Sequence, residues 1–253
     1  MVFDSGLREF EKKNSVPIIP TGNETLNKLL LGGFHLDLLY LLYGDKRITT
    51  DILLKTAVNA QMTLNKKDIL DNSVQIAYVD GINRFSPYKI AKYAVSLRLN
   101  PRTVLENILI SRVFTWDQMV EVLENRIVDL DMINVVLISG ITSLFKYEKE
   151  GYEDLWKAIS GIKRLLSKSN PLILITAPQN KFSEFKPEGG HIITHFGNVL
   201  VMIENKERKV EYKLIQHPSM PEITLTKVKP YESQKRKPKP YRNKTLDKWI
   251  RLN

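Results

Sequence analysis

Apolar positions along the chain follow two rhythms. Short, almost unbroken apolar runs recur at residues 38–43, 74–79, 108–113, 135–138, 172–176 and 199–203, and a looser run follows at 209–215. Between them, apolar residues fall at helical spacing: Leu26, Leu29 and Leu30; about 50–62; Ile90, Tyr93, Ala94 and Leu97 within 87–98; 115–130; and about 152–168. Continuous Val/Ile/Leu runs predict strands buried on both faces, and helices alternating with them predict parallel pairing. The pattern therefore predicts an α/β fold, a doubly wound, mostly parallel twisted sheet with helices on both faces. The runs at 199–203 and 209–215 predict a closing antiparallel hairpin across 204–208.

Turn and cap signals set the boundaries. Thr21-Gly22-Asn23-Glu24 predicts a capping box, with Thr21 accepting from the third amide and Glu24 reaching back, and Gly32-Gly33 predicts the end of that helix. Residues 1–20 are polar, carry Phe3, Leu7 and Phe10 at roughly helical spacing and then Pro17 and Pro20, and read as an arm. Residues 21–228 read as one core domain. From Lys229 the composition turns to Lys, Arg and Pro, so 229–253 reads as a disordered basic tail.

Composition sharpens this in two places. The 253 residues contain no cysteine, which excludes disulfides and thiolate metal sites. The net charge of +10 is concentrated: residues 227–253 hold ten Lys/Arg against two acids, leaving about +2 for everything before them. A basic tail on a near-neutral body points to a polyanionic partner, with a merely solvated tail as the plain alternative. No apolar run reaches the roughly 18 residues needed to cross a bilayer, and the charged start is unlike a signal peptide. The expectation is a soluble intracellular protein with no membrane partner, cytoplasmic and nucleoid-associated in a prokaryote or nuclear in a eukaryote.

The stretch 38–55 reads as strand, tight turn, helix, where nucleotide-binding proteins place a phosphate loop. Such a loop, G-x-x-x-x-G-K-[ST], cradles phosphates on its amides, neutralises them with Lys and binds magnesium with Ser/Thr. Counted from Gly44, those positions hold Thr49, Thr50 and Asp51. A carboxylate at a helix N-terminus supplies the anion that the dipole would otherwise draw from phosphate. Thr49, Thr50 and Asp51 are therefore expected to cap the helix and fill the phosphate space. The alternative is an unorthodox loop using Lys46 and Arg47.

Further motifs carry a resemblance. Thr21-Gly22-Asn23 with Leu26, Leu29, Leu30, Gly32 and Gly33; Tyr43-Gly44; Tyr78-Val79-Asp80 with Phe85, Pro87 and Ile90; Val136-Leu137-Ile138 with Ile141-Thr142-Ser143-Leu144-Phe145; Pro187-Glu188-Gly189-Gly190-His191 with His195; and Leu214-Ile215, His217-Pro218 and Pro221 follow one another in order. From residue 3 to about 225 the chain resembles the RecA/RadA recombinases, which implies a RecA-like core. The resemblance also implies which chemistry is missing. The family's catalytic Glu falls on Ile82, and its magnesium-ordering Asp falls on Ser139. Its G-R-G-E-L DNA loop reads Gly151-Tyr152-Glu153-Asp154-Leu155, its second loop (179–188) offers Lys181 and Lys186, and its T-N-Q switch reads Thr176-Ala177-Pro178-Gln179. Hydrolysis needs charge neutraliser, metal anchor and water-positioning base together, so a catalytically silent paralogue without cofactor is expected.

The family joins subunits through an F-x-x-A segment eighteen residues before its T-G-S threonine, and Phe3 stands there with Gly6 at the Ala position. The reading is an arm that docks on a recombinase-like neighbour, against a chance Phe in a disordered terminus. DNA contact is expected in the tail, where Lys235, Arg236, Lys237, Lys239, Arg242 and Lys244 meet phosphates and Tyr241 stacks on a base, without sequence preference or a choice between single and double strands. A solubility tail or a nuclear-localisation signal would have the same composition. Leu246, Trp249 and Ile250 form a small apolar face for a partner or for the core. His191 and His195 have zinc-helix spacing but no third ligand, and no metal is expected. The function these readings predict is a DNA-binding assembly or mediator subunit in recombination and repair, bound to a RadA-type recombinase or another paralogue. An accessory of a repair nuclease or helicase and a divergent ATPase are the alternatives.

Overall fold

A computed structural model describes residues 5, 17–36, 38–65, 74–145, 148–180, 183 and 185–230. The arm residues Phe3 and Gly6, Lys181, and the whole tail from residue 231, with Trp249 and Ile250, lie outside the described residues.

The elements in chain order are β1 (Ile18–Ile19), α1 (Glu24–Leu29), β2 (Phe34–His35), β3 (Leu39–Gly44), α2 (Lys46–Asn65), β4 (Gln75–Asp80), α3 (Pro87–Ser96), α4 (Pro101–Glu106), β5 (Ile108–Arg112), α5 (Trp116–Glu121), β6 (Ile133–Ser139), α6 (Lys149–Ser169), β7 (Leu172–Ala177), α7 (Gly190–Phe196), β8 (Val199–Asn205), β9 (Lys209–Gln216) and β10 (Ile223–Val228). A single π-helical turn, Val122–Arg126, continues α5. The main sheet has eight strands in the order β10-β9-β8-β3-β7-β6-β4-β5.

The apolar runs are strands because both of their faces are covered. Alternate residues of β3 go to opposite cores: Tyr40 and Leu42 join Leu53, Ala57 and Leu174 on one side, and Leu39, Leu41 and Tyr43 join Leu155, Ile159 and Ile175 on the other. The first core is capped by α1, α2 and α3, the second by α5, α6 and α7. At roughly 25 cal/mol per Å² of apolar surface removed from water, this double burial is the main term holding the sheet flat against its helices.

The expected hairpin forms, with β8 antiparallel to β9. Three details change. β8 also runs parallel to β3, so it belongs to the parallel sheet, and among the described strands β9 and β10 are the antiparallel additions. Its partner is chosen by register: the β3 run at Tyr40–Gly44 pairs with Val199–Ile203 before the chain turns back. Ile18 and Ile19, read as arm, pair with Phe34 and His35, and Ile19 is fully buried. The predicted capping box is shifted: Asn23, not Thr21, caps α1 by accepting from Leu26 N at 3.1 Å, while Thr21 Oγ1 accepts from Asn23 N at 3.0 Å. Among the described residues no helix is long and apolar enough to cross a membrane.

Candidate functional site

Open α/β sheets bind ligands beyond the carboxyl ends of their strands, and β3, β4 and β6 end here in Gly44, Asp80 and Ser139. At Gly44 the backbone turns with φ +114°, and a Cβ would stand 2.2 Å from the Ile203 carbonyl of β8. Glycine is required at that point by the neighbouring strand, whatever the loop binds. Asp45 N then donates to Ile203 O at 2.9 Å.

No loop follows. Helix α2 begins at Lys46, about four residues earlier than its apolar pattern indicates, and its first turn occupies the chain that would have wrapped a phosphate. The cap is Asp45: Oδ1 accepts from Arg47 N and Ile48 N, both at 2.9 Å, and Oδ2 from Asn205 Nδ2 at 2.9 Å. Partial burial works against the charged form, but the bonds from Asn205, Ile48 and Arg47, with the Arg47 charge, hold its pKa below the ordinary value.

The expectation that Thr49, Thr50 and Asp51 cap the helix is therefore corrected. The Thr49 hydroxyl donates back to Asp45 O at 3.0 Å and that of Thr50 to Lys46 O at 2.6 Å, the i−4 pattern of helix-interior threonines. Asp51 points sideways. Its carboxylate accepts from the Tyr93 hydroxyl of α3 and pairs with Lys55 Nζ at 3.0 Å and Lys89 Nζ at 3.6 Å. Burial raises its pKa, yet the Tyr93 and Lys55 hydrogen bonds and the two lysine charges outweigh that and lower it.

Ile82 and Gly140 meet where the chain turns after β4 and β6. A Cβ on Gly140 would lie 2.4 Å from Ile82 Cγ2, so the apolar side chain covers Gly140. Asp80 is fully buried and spends its carboxylate on the amides of Ile82, Arg84 and Phe85, at 3.4, 3.2 and 2.8 Å. Ser139 is buried as well, and its hydroxyl has no hydrogen-bond partner.

Two segments align with the DNA loops of the family that the sequence resembles. Residues 151–155 are the first turns of α6, with Leu155 buried and Tyr152 edge-on to Phe145 at 5.0 Å. Lys186 is exposed between β7 and α7, and Phe185 beside it lies under Lys213 Nζ at 5.3 Å. The rings of His191 and His195 stack on α7 with centroids 5.7 Å apart, and no group of three or more His, Cys, Asp or Glu suited to a metal occurs among the described residues.

Two surface features had no sequence signal. Along the outer strand β5 runs an apolar groove of about 170 Å³ lined by Ala77, Val79, Leu109, Val122, Ile127 and Leu130, and Leu109 and Ile110 remain 44% and 43% exposed. A second groove, of about 380 Å³, opens where the nucleotide site would be, between Lys46 and the turns after β4, β5 and β6.

The sheet order, the strand ends and the position of α2 define a RecA-like core. The Rad51 family model matches residues 12–228, and the chain belongs to that family. It is 24% identical over 247 residues to the DNA repair and recombination protein RadA of Methanococcus maripaludis, covering 87% of this chain and 76% of the relative. It is 24% identical over 236 residues to a meiotic recombination protein DMC1 homolog of Glycine max, covering 83% of this chain and 66% of the relative. It is 25% identical over 214 residues to the DNA repair protein RAD51 of Mycosarcoma maydis, with coverages of 77% and 62%. The chain thus spans just under two thirds of the DMC1 homolog and of RAD51.

Proposed function

We propose that this chain is a non-catalytic member of the Rad51 family, a DNA-binding assembly or mediator subunit that docks on a recombinase during recombination and repair. The observation that carries this reading is the first turn of α2. Lys46 follows Gly44 by two residues and is already helical, Asp45 fills the anion position at the helix start, and the neighbouring Ile82 and Ser139 bring no second carboxylate. A phosphate arriving there would meet the Asp45 carboxylate in place of free amides.

Partner docking is supported from two sides. The family's F-x-x-A segment has its counterpart in Phe3 and Gly6, and β5 offers an open strand edge beside an apolar groove. A strand edge with an adjacent apolar socket suits an extended peptide with one aromatic anchor.

The test combines two measurements on one purified preparation. Titration with labelled ATP and magnesium should give no binding at micromolar concentrations, whereas saturable micromolar binding would overturn the non-catalytic reading in favour of an ATPase. Pull-down of the recombinase from the same genome should succeed with the wild type and fail with Phe3→Ala. Capture of a repair nuclease or helicase instead would favour the accessory role.

A further inference from the structure

The groove at the former nucleotide site is lined by Lys46, Ile82, Asn83, Arg84, Phe114 and Ser143, among others, and no acidic side chain lines it. Lys46 and Arg84 are both exposed, and neither pairs with a described carboxylate. The two nearest acids are occupied: Asp45 by its capping bonds and Asn205, Asp80 by three backbone amides. Two uncompensated cations therefore face one opening.

The remaining walls fit a base. Phe114 is 63% exposed, and Val113 and Leu144 continue the apolar side. The Ser143 hydroxyl, at the groove wall, is buried without a hydrogen-bond partner. An exposed aromatic in one groove with a lysine and an arginine is the combination that holds an unpaired base on the ring face and the backbone phosphates on the cations.

We infer that this groove binds single-stranded DNA, with Lys46 and Arg84 on consecutive phosphates and Phe114 under a base. The inference extends the reading of a silent nucleotide site, on which it rests: the surface left when the phosphate loop became helix serves the strand instead of a nucleotide. A free mononucleotide offers the same phosphate chemistry, but the capped first turn of α2 leaves it no amide cradle, whereas a strand needs only charge and a stacking face.

The full chain is tested by fluorescence anisotropy with a labelled thymidine oligonucleotide over a salt series. Each phosphate neutralised on a single strand contributes about −0.7 to the slope of log K against log salt. Lys46→Gln with Arg84→Gln should flatten that slope by about 1.4 and weaken binding about tenfold at moderate salt. Phe114→Ala should weaken binding by a similar factor with the slope unchanged. Lys92→Gln with Arg98→Gln, exposed cations outside the groove, should change little. Equal effects from the control pair, or no effect from the groove variants, overturn the inference. Magnesium ATP is run against the wild type separately: binding there sinks the silent-site reading, and displacement of the oligonucleotide by ATP sinks the strand assignment. A DNA failure without ATP binding sinks only the groove.

Discussion

Ile82 lies against Gly140: the Cβ that Gly140 lacks would come within 2.4 Å of Ile82 Cγ2 and of Ser143 Oγ. The two positions follow β4 and β6, which are paired in parallel with Asp80 opposite Ser139, so one apolar contact joins the turns after these strands.

Gly140→Ala is therefore expected to destabilise the fold by about 2 kcal/mol, through the +69° backbone angle and the crowding together. Adding Ile82→Ala should recover part of that loss, since it removes one of the two obstructing groups. Urea denaturation of the single and double variants measures both; additive losses would show that the two residues do not touch in solution.

Asp45→Ala removes the α2 cap and the tie to Asn205 on β8, and should cost about 1–2 kcal/mol. The folded-state pKa of Asp45 lies below its unfolded value, so its contribution is complete above the unfolded pKa and is lost as pH falls through the folded one. The stability difference between wild type and Asp45→Ala should accordingly be constant near neutrality and shrink under acid conditions. Thermal melts across that range check the sign. Asp45→Asn, which can still accept from the amides, should recover most of the loss.

How much of this was legible in the sequence differs between sheet and site. The strands were legible because a strand buried on both faces needs a continuous apolar run, and all the long runs became strands. Pro101–Glu106 and Ile223–Val228 were not: α4 buries only Val104, and β10 (Ile-Thr-Leu-Thr-Lys-Val) is an exposed edge whose short alternation breaks at Lys227. At the site, counting from Gly44 along a phosphate-loop template placed the cap at Thr49 to Asp51. The true cap had a local signal, an Asp directly after the strand-ending glycine with free amides two and three residues on. The Asp51–Tyr93 contact joins residues 42 apart and had no signal at all.

That contact gives a third test. Asp51 holds the first turns of α2 to α3 through Tyr93 and Lys89, with Lys55 Nζ also 5.5 Å from the centre of the Tyr93 ring. A double-mutant cycle of Asp51→Asn and Tyr93→Phe should return a coupling of about 1.5–3 kcal/mol, the range for a hydrogen bond to a charged group. Lys89→Gln alone should cost under about 0.5 kcal/mol, since its ammonium is half exposed at 3.6 Å. A coupling near zero would mean that the Asp51–Tyr93 bond does not tie α2 to α3.

The last prediction concerns the outer edge of the sheet. Leu109 and Ile110 sit on β5, which pairs only with β4, so their exposure leaves an unpaired strand edge beside the Val122–Leu130 wall. Nothing on the solvent side depends on either side chain, so Leu109→Arg and Ile110→Arg should each change stability by about 0.5 kcal/mol or less. If β5 receives an anchoring segment from a recombinase, the same substitutions should abolish capture of that partner while oligonucleotide binding persists. Pull-down and anisotropy on one preparation separate the two. Undiminished capture by both variants would remove β5 from docking and leave it to Phe3 and the Trp249–Ile250 face, whereas loss of oligonucleotide binding along with capture would mean the substitutions had disturbed the fold.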